Sequence, residues 1–177
     1  MHFFGYQLVT APYVTYHVAD RAGNLIHSQP VDIPNPVMMH DFALSRNHAI
    51  FLDLPVVFDL DVALSGAGMP FAWRGDVGSR IGLVDRRRIG TGVAVEPRWF
   101  EIDNCYVFHI FNAWEEDDGN VVVLDAGRHA SMWDGGPDAF EPCYLWRWRF
   151  DLRTGAVSEQ QLDDVEHAFP RIDDRRT

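Results

Sequence analysis

Apolar and aromatic residues recur with a period of two along almost all of this chain, in short runs punctuated by turn residues. Successive side chains of a strand point to opposite faces, so this period specifies half-buried strands; a helix would need a period of 3.6. Tyr13 to Val18 is one run, Asp20-Arg21-Ala22-Gly23-Asn24 supplies a turn, and Leu25 opens the next strand. Val37 to Leu44 and Ala49 to Val57 flank Ser45-Arg46-Asn47-His48. Cys105 to Trp114 and Asn120 to Ala126 flank Glu115-Glu116-Asp117-Asp118-Gly119, and Tyr144 to Leu152 and Ala156 to Leu162 flank Arg153-Thr154-Gly155. Each arrangement reads as a hairpin. Pro30, Pro34, Pro36, Pro55, Pro70 and Pro97 read as lying between runs, where they interrupt no ladder.

The expected fold class is therefore all-β. Many short strands joined by tight turns suit a sandwich, a barrel or propeller blades. The segments Tyr16…Gly23…His27 and Phe150…Gly155…Gln160 share a strand, an Asp, a Gly-containing turn and a strand, which favours a repeating blade. Helix is expected only at Val62 to Ala67 and within the last 15 residues. Asp59 to Gly82 is Gly-rich, poor in strand residues and more than 20 residues long, so it reads as a functional loop.

Composition narrows the chemistry. The 177 residues suit one domain or part of a larger one, and 47% hydrophobic content supplies a core that a disordered tail would lack. A net charge of −11 repels phosphates, so no nucleic-acid partner is expected. All 15 basic residues are Arg, which excludes a Schiff-base lysine and a P-loop lysine. Cys105 and Cys143 form no CxxC pair; a single disulfide stays open beside the favoured reading of two free buried thiols in a reducing compartment. The N-terminal segment lacks a basic region before a long apolar run, and no stretch approaches about 20 apolar residues. A soluble, cytoplasmic protein is the expectation.

No GxSxG, HExxH, GxGxxG or EF-hand loop occurs. Of eight histidines, His40 and His109 stand out, each inside a run that is apolar on both sides. A neutral imidazole there suits iron, zinc or copper; the alternative is a buried histidine bonded to a backbone carbonyl. His40-Asp41 superficially offers the start of a two-histidine, one-carboxylate site, but adjacent strand residues point apart unless a bulge intervenes. A hairpin centred on Arg46 and Asn47 would instead put Asp53 opposite His40, as a ligand or a hydrogen-bond partner.

Two long segments carry a resemblance. Met39-His40-Asp41-Phe42-Ala43-Leu44-Ser45 with Ala49-Ile50-Phe51-Leu52-Asp53-Leu54-Pro55 resembles the second-histidine segment of the carotenoid cleavage oxygenase family. Trp99-Phe100-Glu101 with Cys105-Tyr106-Val107-Phe108-His109-Ile110-Phe111-Asn112-Ala113-Trp114-Glu115-Glu116 resembles its third-histidine segment. Phe4-Gly5-Tyr6, Tyr13-Val14-Thr15-Tyr16, Ser79-Arg80-Ile81-Gly82 and Phe169-Pro170-Arg171-Ile172-Asp173 follow the family's order, so the similarity spans residues 1–177.

The resemblance implies a seven-bladed β-propeller with non-haem Fe(II) on its axis, held by four histidines and no carboxylate. His40 and His109 match two of the four, and no further catalytic residue is implied. Dioxygen and an apolar conjugated substrate (a carotenoid, apocarotenoid or stilbene) would be the partners, and a carbon–carbon double bond would be split into two carbonyls. The other two histidines, and the glutamates that orient the ligands, fall in parts of the family sequence outside this chain. The expectation is thus an internal piece of an oxygenase, about two to three blades, with the remaining histidines structural or at the surface. Residues 60–71 match a region that helps form an apolar patch at the tunnel mouth, which implies peripheral membrane contact. Two other classes compete: a non-catalytic β module that has lost its metal, and a metal-binding β domain of unrelated chemistry.

Overall fold

The computed structural model describes residues 1–66, 68–136, 139–167 and 169. The chain is 52% strand and 9% helical, so the all-β expectation holds. In chain order the strands are β1 (His2–Tyr6), β2 (Val14–Ala19), β3 (Leu25–Val31), β4 (Ala43–Leu44), β5 (His48–Asp53) and β6 (Val56–Phe58). Helix α1 (Leu60–Ser65) separates these from β7 (Phe71–Trp73), β8 (Ser79–Asp85) and β9 (Arg98–Ile102). Then come β10 (Tyr106–Glu116), β11 (Val121–His129), β12 (Cys143–Asp151) and β13 (Val157–Glu166). Among the described residues these form three antiparallel sheets in the orders β1-β2-β3, β4-β5-β8-β9 and β10-β11-β12-β13, with β6 and β7 as a ribbon. Two four-stranded sheets and one of three strands correspond to the expected two to three propeller blades.

The turn chemistry explains the hairpins. After β2, Asp20 Oδ1 accepts from the Ala22 and Asn24 N–H groups at 2.8 and 2.9 Å, and Gly23 takes φ 86°. After β12, Asp151 Oδ1 accepts from Arg153 and Thr154 N–H at 2.8 and 3.0 Å, and Gly155 takes φ 80°. The two hairpins that looked alike in sequence are the same device, an aspartate gathering turn amides before a left-handed glycine.

The middle sheet is packed on both faces, and β5 shows why. Its six residues are all buried. Ala49 and Phe51 face the first sheet, in a cluster with Val14, Tyr16 and Val31. Ile50 and Leu52 face the third sheet, in a cluster with Tyr106, Leu124 and Trp148. Strand alternation thus sends one run of residues into two cores, which reads in sequence as a continuous apolar stretch. Beside it, Gly82 of β8 pairs with Trp99 of β9, whose ring lies where a Cβ would sit, at 2.6 Å. Arg80 stacks over the same ring at 4.1 Å.

Several expectations need correction. Asp59 to Gly82 is not a long loop: it holds α1, β7, a 3₁₀ turn at Gly75–Val77 and the start of β8. Asp59 caps α1, accepting from Asp61 and Val62 N–H, so a local capping signal accounts for that helix. The glycines masked strands too short to show a period. Pro30 lies inside β3, an edge strand that tolerates its missing N–H. Residues 163–166 of the expected C-terminal helix belong to β13, and the rest of that stretch, apart from His167 and Phe169, lies outside the described residues. Both cysteines are free thiols; Cys105 is buried, with its pKa pushed up to about 12 by burial, whereas Cys143 is only partly buried.

Candidate metal centre

His40 and His109 come together from neighbouring sheets. His109 lies in β10, the edge strand of the third sheet, and His40 lies just before β4 of the middle sheet. Their ring centroids are 5.2 Å apart, with planes 85° from parallel. Imidazoles on adjacent positions of one ion, bonded at about 2.0–2.2 Å, bring their centroids to roughly this separation.

The local backbone departs from the sequence reading at both histidines. His40 is not in a strand, and its side chain is exposed. The β4–β5 ladder pairs Ala43 with Ile50 and Leu44 with Ala49, which extrapolates to His40 opposite Asp53. It stops at Ala43, however, and pairing resumes one residue out of step where Val37 faces Val57. The irregular stretch between lets both His40 and Asp41 reach β10. Asp53 does not join them: its carboxylate binds Arg80 Nε at 2.7 Å, and burial pushes its pKa up against the pull of that guanidinium. At His109 the ladder carries a bulge, with Phe108 and His109 together opposing Gly127 alone.

Segment 38–48 runs beside β10 in the same direction, fastened at intervals. Tyr106 Oη donates to the Met38 carbonyl at 3.1 Å. His40 Nδ1 donates to the Phe108 carbonyl at 3.2 Å, and Asp41 Oδ2 accepts from Ile110 N–H at 3.0 Å. Glu115 accepts from Ser45 Oγ at 2.6 Å, from the Asn47 backbone and side-chain N–H groups at 2.7 and 2.5 Å, and binds His48 Nδ1 at 3.0 Å.

Glu115 illustrates the energetics of this seam. Burial alone would raise its pKa, but the hydrogen bonds from Ser45, Asn47 and His48 together hold it below the ordinary glutamate value. A depressed carboxylate stabilises the fold above its unfolded pKa, and that contribution is lost as pH falls through the folded value. Stability is therefore expected to decline below the ordinary glutamate range, less steeply in Glu115→Gln. At pH 7 that variant is expected to lose about 2–3 kcal/mol, because buried donors lose a charged acceptor. Urea unfolding of both proteins across pH checks this.

The donor set fits a transition metal. A carbonyl can only accept, so the His40 bond puts the proton on Nδ1 and leaves the Nε2 lone pair free when the ring is neutral. Burial, followed by the neighbouring His40 ring, lowers the His109 pKa, which keeps it neutral near pH 7 despite Asp41. No group of three or more His, Cys, Asp or Glu that could hold an ion occurs among the described residues. A cavity of about 200 Å³ opens beside His109, lined by Phe108, Phe111, His129, His167 and Phe169. His129 and His167 had no distinguishing sequence context. His129 Nδ1 donates to the Glu141 carbonyl and His167 Nε2 binds Asp163, so each has a structural partner.

The sheets and the paired histidines define a propeller-type β chain with two imidazoles converging between blades. Residues 1–177 match the family described as retinal pigment epithelial membrane protein (RPE65). The chain is 37% identical over 184 residues to carotenoid 9,10(9',10')-cleavage dioxygenase from Crocus sativus, covering all of this chain and 33% of the relative. It is 31% identical to isoeugenol monooxygenase from Pseudomonas putida, over 92% of this chain and 34% of that enzyme. Lignostilbene dioxygenase from Pseudomonas brassicacearum superposes with a TM-score of 0.73 at 29% identity, over 92% of this chain and 35% of that one. Cobalt-substituted Synechocystis ACO shares the fold, with a TM-score of 0.67 over 84% of this chain. The chain belongs to the RPE65/carotenoid cleavage oxygenase family. It spans about a third of the length of these relatives.

Proposed function

We propose that the full-length protein containing this chain is a non-haem Fe(II) dioxygenase that splits a carbon–carbon double bond of a carotenoid, apocarotenoid or stilbene-type substrate into two carbonyl products. The observation that carries this reading is the meeting of His40 and His109, 69 positions apart in sequence, with rings 5.2 Å apart in a chain whose relatives are carotenoid cleavage dioxygenases. Fe(II) would supply the activation of dioxygen. Within this chain, His40 would bind it through Nε2, with the ring orientation set by the Phe108 carbonyl, and His109 would bind it from the bulge of β10. Phe108 packs edge-on against both His40 and His129. Two imidazoles satisfy only part of an iron coordination shell, so further protein ligands would have to join them in the full-length protein. Iron analysis of the full-length protein, with assays of carotenoid, apocarotenoid and stilbene substrates for aldehyde products, tests the reading. An iron-free protein that makes no carbonyl product would instead indicate a non-catalytic β module.

A second apolar feature supports a route for the substrate. Val62, Met69, Phe71, Trp133 and Phe140 line a cavity of about 450 Å³. Around it Leu60, Leu64, Met69 and Phe140 are exposed, Leu64 by 77%. No helix among the described residues is long and apolar enough to cross a membrane. Residues 60–71 would contact the bilayer at the headgroup boundary, letting an apolar substrate enter without crossing water. The net charge of −11 opposes anionic lipid. In the full-length protein, Leu64→Asp is therefore expected to reduce sedimentation with neutral liposomes; unchanged partitioning would leave these residues a simple cover for the core.

A further inference from the structure

The two backbone groups that flank His109 are both held by one dipeptide. The Phe108 carbonyl accepts from His40 Nδ1, and the Ile110 N–H donates to Asp41 Oδ2. The other oxygen of Asp41 is also engaged, accepting from Phe42 N–H at 2.8 Å. The carboxylate thus ties its own segment to β10 on the far side of His109 from the bond His40 makes. β10 needs such a tie: it is the edge strand of its sheet, and its ladder to β11 is out of step at Val107/Ile110 and again at Ile110/Asn112. An edge strand with two irregularities around one residue has little of its own to fix that residue's direction.

We propose that Asp41 is a positioning residue for the metal centre: its carboxylate bridges Phe42 N–H and Ile110 N–H, locking the bulge that presents His109 to His40. This rests on the reading that these two histidines bind the metal. Asp41 acts through the backbone of its neighbours and is not itself a ligand. The sequence alone invites the opposite conclusion, because His-Asp looks like the beginning of a ligand set.

The test compares Asp41→Ala and Asp41→Asn with Glu115→Gln in the full-length protein. Glu115 fastens the same two segments away from His109, so its variant reports a merely structural loss. Hydrogen exchange of the peptide spanning residues 107–112, Co(II) affinity with its visible spectrum, and thermal midpoints are measured for each. Asp41→Ala is expected to speed exchange at Ile110 and to raise the Co(II) dissociation constant about 10–100-fold, as loss of a group that orients a ligand does. Asp41→Asn keeps one acceptor oxygen and is expected to fall between, which also covers the case of an alanine variant that does not fold. Glu115→Gln is expected to lower the thermal midpoint with the Co(II) affinity unchanged. Equal weakening of Co(II) binding by Glu115→Gln, or unchanged Ile110 exchange and affinity in both Asp41 variants, would overturn the proposal. A wild-type protein that binds no Co(II) would remove the metal reading itself, and the exchange data would still show whether Asp41 holds the strand.

Discussion

His109→Ala, introduced into the full-length protein, is expected to lower iron affinity by more than about 100-fold and to abolish cleavage while the fold persists. Loss of a group that merely orients a ligand costs about 10–100-fold, and removing the ligand itself costs more. The side chain is only partly buried, and its ring makes no hydrogen bond among the described residues, so the thermal midpoint is expected to change little. His40→Ala is expected to do the same, with a small added loss from the bond to the Phe108 carbonyl. Iron content, product formation and thermal unfolding of each variant provide the check. The 177-residue chain alone is expected to hold iron weakly, because two imidazoles leave most of the coordination shell to water. Stoichiometric iron with turnover by that chain would refute the need for further histidines.

The second large effect belongs to the core. Phe51→Ala is expected to destabilise the fold by about 3–5 kcal/mol, the range for removing a buried phenylalanine. Phe51 is fully buried at the centre of an aromatic cluster, 5.4 Å from the Tyr16 ring and 5.7 Å from Phe42. It joins the first sheet to the middle one, and Phe42 is the neighbour of Asp41, so the cavity would also loosen the segment that carries His40. Denaturant unfolding gives the stability change; iron affinity in the same variant gives the coupling. A loss below about 1 kcal/mol would mean the cluster collapses around the gap.

Local chemistry made much of this protein legible from its residues. Apolar runs bounded by turn residues marked β2, β3, β5 and β10 to β13, alternating where one face is exposed and continuous where both are buried, as in β5. The turns after Asp20 and Asp151 were readable because an aspartate and a glycine make them without outside help. The two histidine segments drew attention to His40 and His109 by their resemblance, and those two rings lie 5.2 Å apart. Short strands among glycines, such as β7, carry too few residues to show a period. Gly82 looked like a loop residue yet lies within β8, where the face of Trp99 takes the place of its side chain. The register of the hairpin centred on Arg46 and Asn47 was legible and holds for Ala43 and Leu44, but the step out of phase between Ala43 and Val37 was not, because β10, from far along the chain, also binds that segment. Sequence determined where the longer strands lie and singled out His40 and His109. Tertiary structure alone decided where Asp41 and Asp53 point, because a carboxylate's role follows from the donor that reaches it: Ile110 N–H in one case and Arg80 in the other.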